Sequence, residues 1–119
     1  MQPHLLQNDS KIWIKNVFDK ETAKTVLKDL SAVVENENGT GHDIYREGLT
    51  LAGKTGTAEI KKNRNDNSGT ELGWFTVMSL DDNYPVIVTT MVEDVKNRGG
   101  SGYVVEHMKS VLNEYLLQE

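Results

Sequence analysis

Two overlapping strings in this 119-residue chain hold residue types that do chemistry. Gly48-Leu49-Thr50-Leu51-Ala52-Gly53-Lys54-Thr55 satisfies GxxxxGK[ST], the phosphate-cradling pattern of nucleotide-binding proteins. The same lysine opens Lys54-Thr55-Gly56-Thr57-Ala58-Glu59, which reads as KTG on a strand. There Gly56 presents no side chain, so a second extended backbone can approach and align in β fashion. A phosphate loop must follow a buried strand and open a helix, because only then do successive N–H groups and the helix dipole converge on phosphate. The flanks decide between the two. Before Gly48 the chain is polar (GHDIYRE), and after Thr55 (GTAEIKKNRND) no helical stripe appears. A Walker-B-like end, Met91-Val92-Glu93-Asp94, follows a later strand in an order unsuited to that topology.

The elements that must position these residues are legible from periodicity. Asp19 to Glu35 places Ala23, Val26, Leu27, Leu30, Val33 and Val34 on one helical stripe, with Asp19 as N-cap and Glu21 in the first turn. Asn36-Glu37-Asn38-Gly39 ends it, since Asn and Gly tolerate the left-handed conformation. Ahead of the helix, Trp13 and Ile14 in Lys11 to Phe18 are expected to pack. Strands are predicted at Leu49 to Ile60, Leu72 to Leu80 and Pro85 to Glu93, joined by the polar Lys61 to Thr70 connection and a turn at Asp81-Asp82-Asn83. Short connections between neighbouring strands require antiparallel pairing. Beyond the glycine loop Asn97 to Gly102, Tyr103 to Leu117 carries Val104, Val105, Met108, Val111, Leu112, Tyr115 and Leu116 at helical spacing. The expected fold class is α+β: a three-stranded antiparallel sheet flanked by helices, with no internal repeat.

AGKTGTAE (Ala52 to Glu59), with Gly39-Thr40-Gly41 ahead of it and Gly73-Trp74-Phe75 behind, resembles the penicillin-binding transpeptidases, and more narrowly their class B members. The resemblance runs from about Trp13 to the end of the chain and implies a piece of the β-lactamase/transpeptidase-like fold. Such enzymes cleave a D-Ala-D-Ala peptide, or are acylated by a β-lactam, through a serine held near a base, a carboxylate anchor and an oxyanion hole. It implies that Lys54 supplies positive charge across the site and that the hydroxyls of Thr55 and Thr57 bind the substrate carboxylate. It also implies that the Thr57 N–H forms half of the oxyanion hole. Lys54 and Thr57 are thus the candidate catalytic residues, and Thr55, Gly56, Thr57 and Glu59 the candidate substrate contacts, although Glu59 reads equally well as an exposed strand carboxylate. Simple alternation puts Thr55 and Thr57 on one side of the strand and Lys54 on the other, so the scheme asks for strand twist. Trp74 is expected to pack rather than touch ligand.

The family's Ser-x-x-Lys and Ser-x-Asn motifs are absent: none of Ser10, Ser31, Ser68, Ser79, Ser101 and Ser110 is followed by Lys at three or Asn at two residues. The expectation is therefore the C-terminal portion of a transpeptidase domain, inactive by itself because it lacks the nucleophile. A nucleotide binder and a catalytically empty interaction domain are the rival classes.

Thirteen Lys and Arg against eighteen Asp and Glu give a charge of −5, which argues against nucleic acid or anionic lipid as partner. The chain has no cysteine, which excludes disulfides, thiol nucleophiles and Cys-ligated zinc, and His4, His42 and His107 share no metal-ligand spacing. No cofactor is called for. Stem peptides of peptidoglycan and β-lactams are the partners the resemblance implies for the intact protein. It implies a place on the outer face of the bacterial cytoplasmic membrane, tethered by an N-terminal anchor this chain does not contain. An open strand edge and an uncovered apolar face, left where the family's sheet would continue, are expected to make the chain self-associate.

Overall fold

The computed structural model describes residues 12–116. Helix α1 (Lys20–Glu35) is followed by a single 3₁₀ turn (His42–Ile44), strands β1 (Leu51–Glu59), β2 (Glu71–Ser79) and β3 (Ile87–Val92), and helix α2 (Ser101–Leu116). The strands pair antiparallel in the order β1-β2-β3. This is the α+β arrangement expected from the periodicity, with boundaries shifted by about two residues. His4, Ser10, Lys11 and Leu117 lie outside the described residues.

Asp19 caps α1 as its position suggested: its carboxylate accepts from the Thr22 N–H at 2.8 Å and from the Thr22 hydroxyl at 2.9 Å. Alternation along the strands builds the core. Leu51, Gly53 and Thr55 of β1 and Gly73, Phe75 and Val77 of β2 face one side and are buried, where Val104, Val105, Met108 and Leu112 of α2 close over them. Ile44 and Val34 complete the same cluster, tying the 3₁₀ turn and the end of α1 to it.

Apart from Ala52, which is fully buried, the opposite face of the sheet is largely open among the described residues. It presents Lys54, Trp74, Ile87 and Met91, all exposed. Three packing expectations are corrected here. Trp13 and Ile14 are 69% and 63% exposed, because no described element covers the segment ahead of α1. Trp74 is 40% exposed, since it belongs to the uncovered face and not to the face under α2. On α1 only Val34 is buried, with Leu30 and Val33 partly so, while Ala23, Val26 and Leu27 are exposed: the first turns project past the sheet and only the last turn reaches it.

Candidate functional site

β1 is an edge strand, and its hydrogen-bond phase decides what that edge offers. Ile60 N–H donates to Thr70 O at 2.9 Å and Leu80 N–H to Thr50 O at 2.9 Å, which fixes even-numbered residues of this strand as the ones bonded to β2. In an antiparallel ladder the alternate residues turn N–H and C=O away from the partner. Thr55 and Thr57 therefore direct their backbone groups outward along an edge with no strand beside it among the described residues. Their side chains lie on the α2 face, and that of Lys54 on the open face.

Lys54 nevertheless reaches the edge. Its ammonium donates to the outward-facing Thr55 O at 2.6 Å, so a four-carbon stem curls round the strand and sets a positive charge next to the outward Thr57 N–H. Reach of the lysine brings the cation from its own face round to the backbone groups of the edge. Gly56 between them is open: a Cβ there would meet only the Trp74 Cβ, at 3.6 Å.

Thr55 is the one buried polar residue of the described core, 9% exposed, and its hydroxyl lies 2.9 Å from the hydroxyl of Thr40. Thr57 is exposed, and the glycine loop ahead of α2 runs beside it: a Cβ on Gly100 would sit 3.6 Å from the Thr57 Oγ1. That loop bends through positive φ at Asp94, Asn97, Gly99 and Gly100. Glu59 lies at the end of the strand, exposed, in an ion pair with Lys61 and directly across from Glu71. Lys54, Thr55, Gly56 and Thr57 are thus gathered at one edge, whereas Glu59 belongs to the hairpin end. A separate cavity of about 210 Å³ lies at that end, lined by Glu59, Lys61, Asp66, Lys96 and neighbours, and includes none of residues 54–57.

Two residues of the site escaped assignment from sequence. Thr40 was visible in its Gly-Thr-Gly string, but only the fold shows its hydroxyl meeting Thr55. Gly100 carried no signal beyond its place in a glycine-rich loop. His42 and His107 each hold a backbone carbonyl through Nδ1 at 2.8 Å, of Val34 and Tyr103 respectively. Among the described residues no group of three or more His, Asp or Glu side chains is placed to hold a metal ion, and no helix is long and apolar enough to cross a membrane.

The phosphate-loop reading does not survive the geometry. Lys54 and Thr55 stand in the middle of β1 and no helix begins there, so successive N–H groups alternate between the edge and β2 and cannot converge on one phosphate. An antiparallel sheet with helices packed on it carries Lys54-Thr55-Gly56 along its edge strand, an α+β arrangement shared with transpeptidase domains. The model of the penicillin-binding protein transpeptidase domain matches residues 1–113, and the chain belongs to that family. It is 43% identical over 112 residues to penicillin-binding protein 3 of Bacillus subtilis, covering 92% of this chain and 17% of that protein. It is 30% identical over 105 residues to the peptidoglycan D,D-transpeptidase FtsI homolog of Chlorokybus atmophyticus, covering 86% of this chain and 15% of that one. Among solved structures, the transpeptidase domain of Burkholderia pseudomallei penicillin-binding protein 3 superposes with a TM-score of 0.61 at 25% identity, over 86% of this chain and 32% of that chain. The chain therefore spans less than a fifth of the length of these two curated relatives.

Proposed function

We propose that this chain supplies the KTG edge of a class B peptidoglycan D,D-transpeptidase, which binds penicillin and cross-links stem peptides through an acyl-serine intermediate. The observation that carries the reading is the outward phase of β1, with Thr55 and Thr57 turning backbone groups to an unpaired edge and the Lys54 ammonium held 2.6 Å from the Thr55 carbonyl. A substrate strand laid on that edge bonds to Thr55 and Thr57 in β fashion, and the Thr57 N–H then faces the carbonyl under attack as an oxyanion donor. Lys54 contributes positive charge beside the reacting groups, and the hydroxyls of Thr55 and Thr57 take the carboxylate. Gly56 keeps the approach clear. Glu59 lines the mouth of the site from the hairpin end. The serine nucleophile and its lysine come from outside this sequence, which has neither motif, so the chain alone forms no acyl-enzyme.

The same reading places the intact protein on the outer side of the cytoplasmic membrane, where its substrate is. The exposed apolar residues of the open sheet face, Trp74, Ile87 and Met91, support self-association of the isolated chain. A concentration-independent monomer of 13.3 kDa in sedimentation would end that last proposal.

The test is a chimera in which this chain replaces the matching region of the Bacillus subtilis relative. Fluorescent penicillin should label the chimera covalently and leave the isolated chain unlabelled. Lys54→Ala in the chimera should abolish labelling while the protein stays folded. Equal labelling of the chimera with and without Lys54 would refute the assignment.

A further inference from the structure

Thr40 stands on no strand and follows α1 by a short turn, yet its hydroxyl is 2.9 Å from that of Thr55 across fifteen residues of sequence. The backbone around it is tightly set. Gly41 N–H donates to Val33 O at 2.9 Å and Gly39 N–H to Asn36 O at 2.7 Å, closing the end of the helix. The backbone on either side of Thr40 is closely packed: a Cβ on Gly39 would clash with Val33 O at 2.3 Å, and one on Gly41 would press on the Phe75 ring and Val33 at 3.2 Å. The Gly-Thr-Gly string thus lays backbone against helix end and core on both sides and delivers a single hydroxyl to the edge strand.

A threonine hydroxyl has one proton and accepts through its lone pairs. When the Thr55 hydroxyl gives its proton to an anionic ligand, its remaining hydrogen bond to Thr40 must run the other way, with Thr40 donating. Thr40 itself is exposed, but Thr55 is only 9% exposed, so few positions remain from which water could replace that donor at the Thr55 hydroxyl. A donor feeding a hydroxyl that itself donates to a carboxylate strengthens the outer bond by polarisation, and it fixes the rotamer of Thr55 as well.

Resting on the transpeptidase reading, we infer that Thr40 is a positioning residue for carboxylate recognition: it acts through Thr55, orienting the Thr55 proton toward the carboxylate of the bound peptide or β-lactam. Thr40 touches no substrate. Its effect is confined to ligands that present the carboxylate, and its loss weakens binding rather than slowing the acylation step.

The experiment uses the same chimera and measures the concentration dependence of acylation by penicillin G and by its methyl ester, which lacks the anion. Thr40→Val, which removes the hydroxyl at nearly constant shape, should raise the half-saturating concentration for penicillin G about fivefold to tenfold, as loss of one polarising hydrogen bond does. The limiting acylation rate and the ester kinetics should move less than twofold. Thr40→Ser, which restores a hydroxyl, should recover most of the penicillin G affinity. Thermal unfolding of each variant separates these effects from loss of fold. An equal loss with acid and ester, or no rescue by serine, would show Thr40 to be merely structural and overturn the inference. If Lys54→Ala abolishes labelling while Thr40→Val leaves penicillin G binding as it was, the Thr40 role falls and the transpeptidase reading stands. A chimera that takes no penicillin at all overturns both.

Discussion

Two glycines on adjacent strands, Gly56 and Gly73, should respond to the same added methyl group in opposite ways. They sit one register step apart, Gly56 across from Trp74 and Thr57 across from Gly73, and neither has positive φ. A Cβ on Gly73 points under α2 and would fall 2.6 Å from Val104 Cγ2, 2.9 Å from Val95 Cγ1 and 3.2 Å from Gly100 O. Both valines are fully buried, and a β-branched side chain has no alternative rotamer to offer cheaply. Overpacking of that kind costs about 1–3 kcal/mol, against which alanine returns about 0.4–1 kcal/mol by restricting the unfolded chain. Gly73→Ala should therefore destabilise by roughly 1–2 kcal/mol, lowering the melting temperature by about 4–8 °C for a domain of this size. Gly56→Ala meets only an ordinary contact at 3.6 Å and should be neutral or stabilising by up to about 0.5 kcal/mol. Its methyl group nonetheless projects from the strand that receives substrate, so it should slow penicillin labelling of the chimera while stability is kept. Thermal unfolding of the chain followed by circular dichroism reads the first pair of values, and fluorescent labelling reads the second. If Gly73→Ala melts at or above the parent temperature, or if Gly56→Ala is the more damaging to the fold, the two-faced account of this sheet is wrong.

Thr57→Val in the chimera should weaken carboxylate-bearing substrates several-fold while leaving the fold intact, because it deletes an exposed hydroxyl and keeps the β-branch; unchanged acylation kinetics would remove Thr57 from the site. Lys96 clamps the β1–β2 connection by donating to the carbonyls of Asn67 and Gly69, the latter at 2.8 Å, so Lys96→Met should increase proteolytic cleavage in residues 61–70 selectively. Asp66 accepts from the Ser68 hydroxyl and from the N–H groups of Lys62 and Ser68, and these bonds hold its pKa at about 2, below the ordinary 3.8. A depressed carboxylate stabilises the fold fully above the ordinary value and loses that contribution as pH falls through the depressed one. The connection should thus loosen between about pH 4 and pH 2, seen as collapse of the Lys62 and Ser68 amide shifts; Asp66→Asn should remove this transition. Hydrogen bonds from Thr22 likewise lower the pKa of Asp19, so helicity of α1 should fall as acid protonates its cap, and Asp19→Ala should show reduced helicity without the pH dependence.

Much of this protein is written locally. Asp19 three residues before Thr22, the stripe from Val104 to Leu112, and short polar connections between apolar runs specify cap, helix and antiparallel order, because each depends on residues within a few positions of one another. That Lys54-Thr55-Gly56-Thr57 lie on a strand was legible in the same way, since strand alternation is a property of the backbone alone; that the strand is an edge came only with the sheet order. What sequence could not decide is which of two faces gets covered. The apolar stripe of α1 and the Trp13–Phe18 segment look as burial-prone as α2, yet they are mostly exposed, because burial needs a partner surface and the described elements offer one only to the last turn of α1. Trp74 and Phe75 are neighbours in sequence and alternate to opposite faces, and only the packing of α2 on one face puts Phe75 in the core and leaves Trp74 in the open. Nor does sequence order show that Thr40 meets Thr55 or that Gly100 lies beside Thr57. Those contacts join segments fifteen and forty-three positions apart, and they exist only once helix end, edge strand and glycine loop have been packed on one sheet.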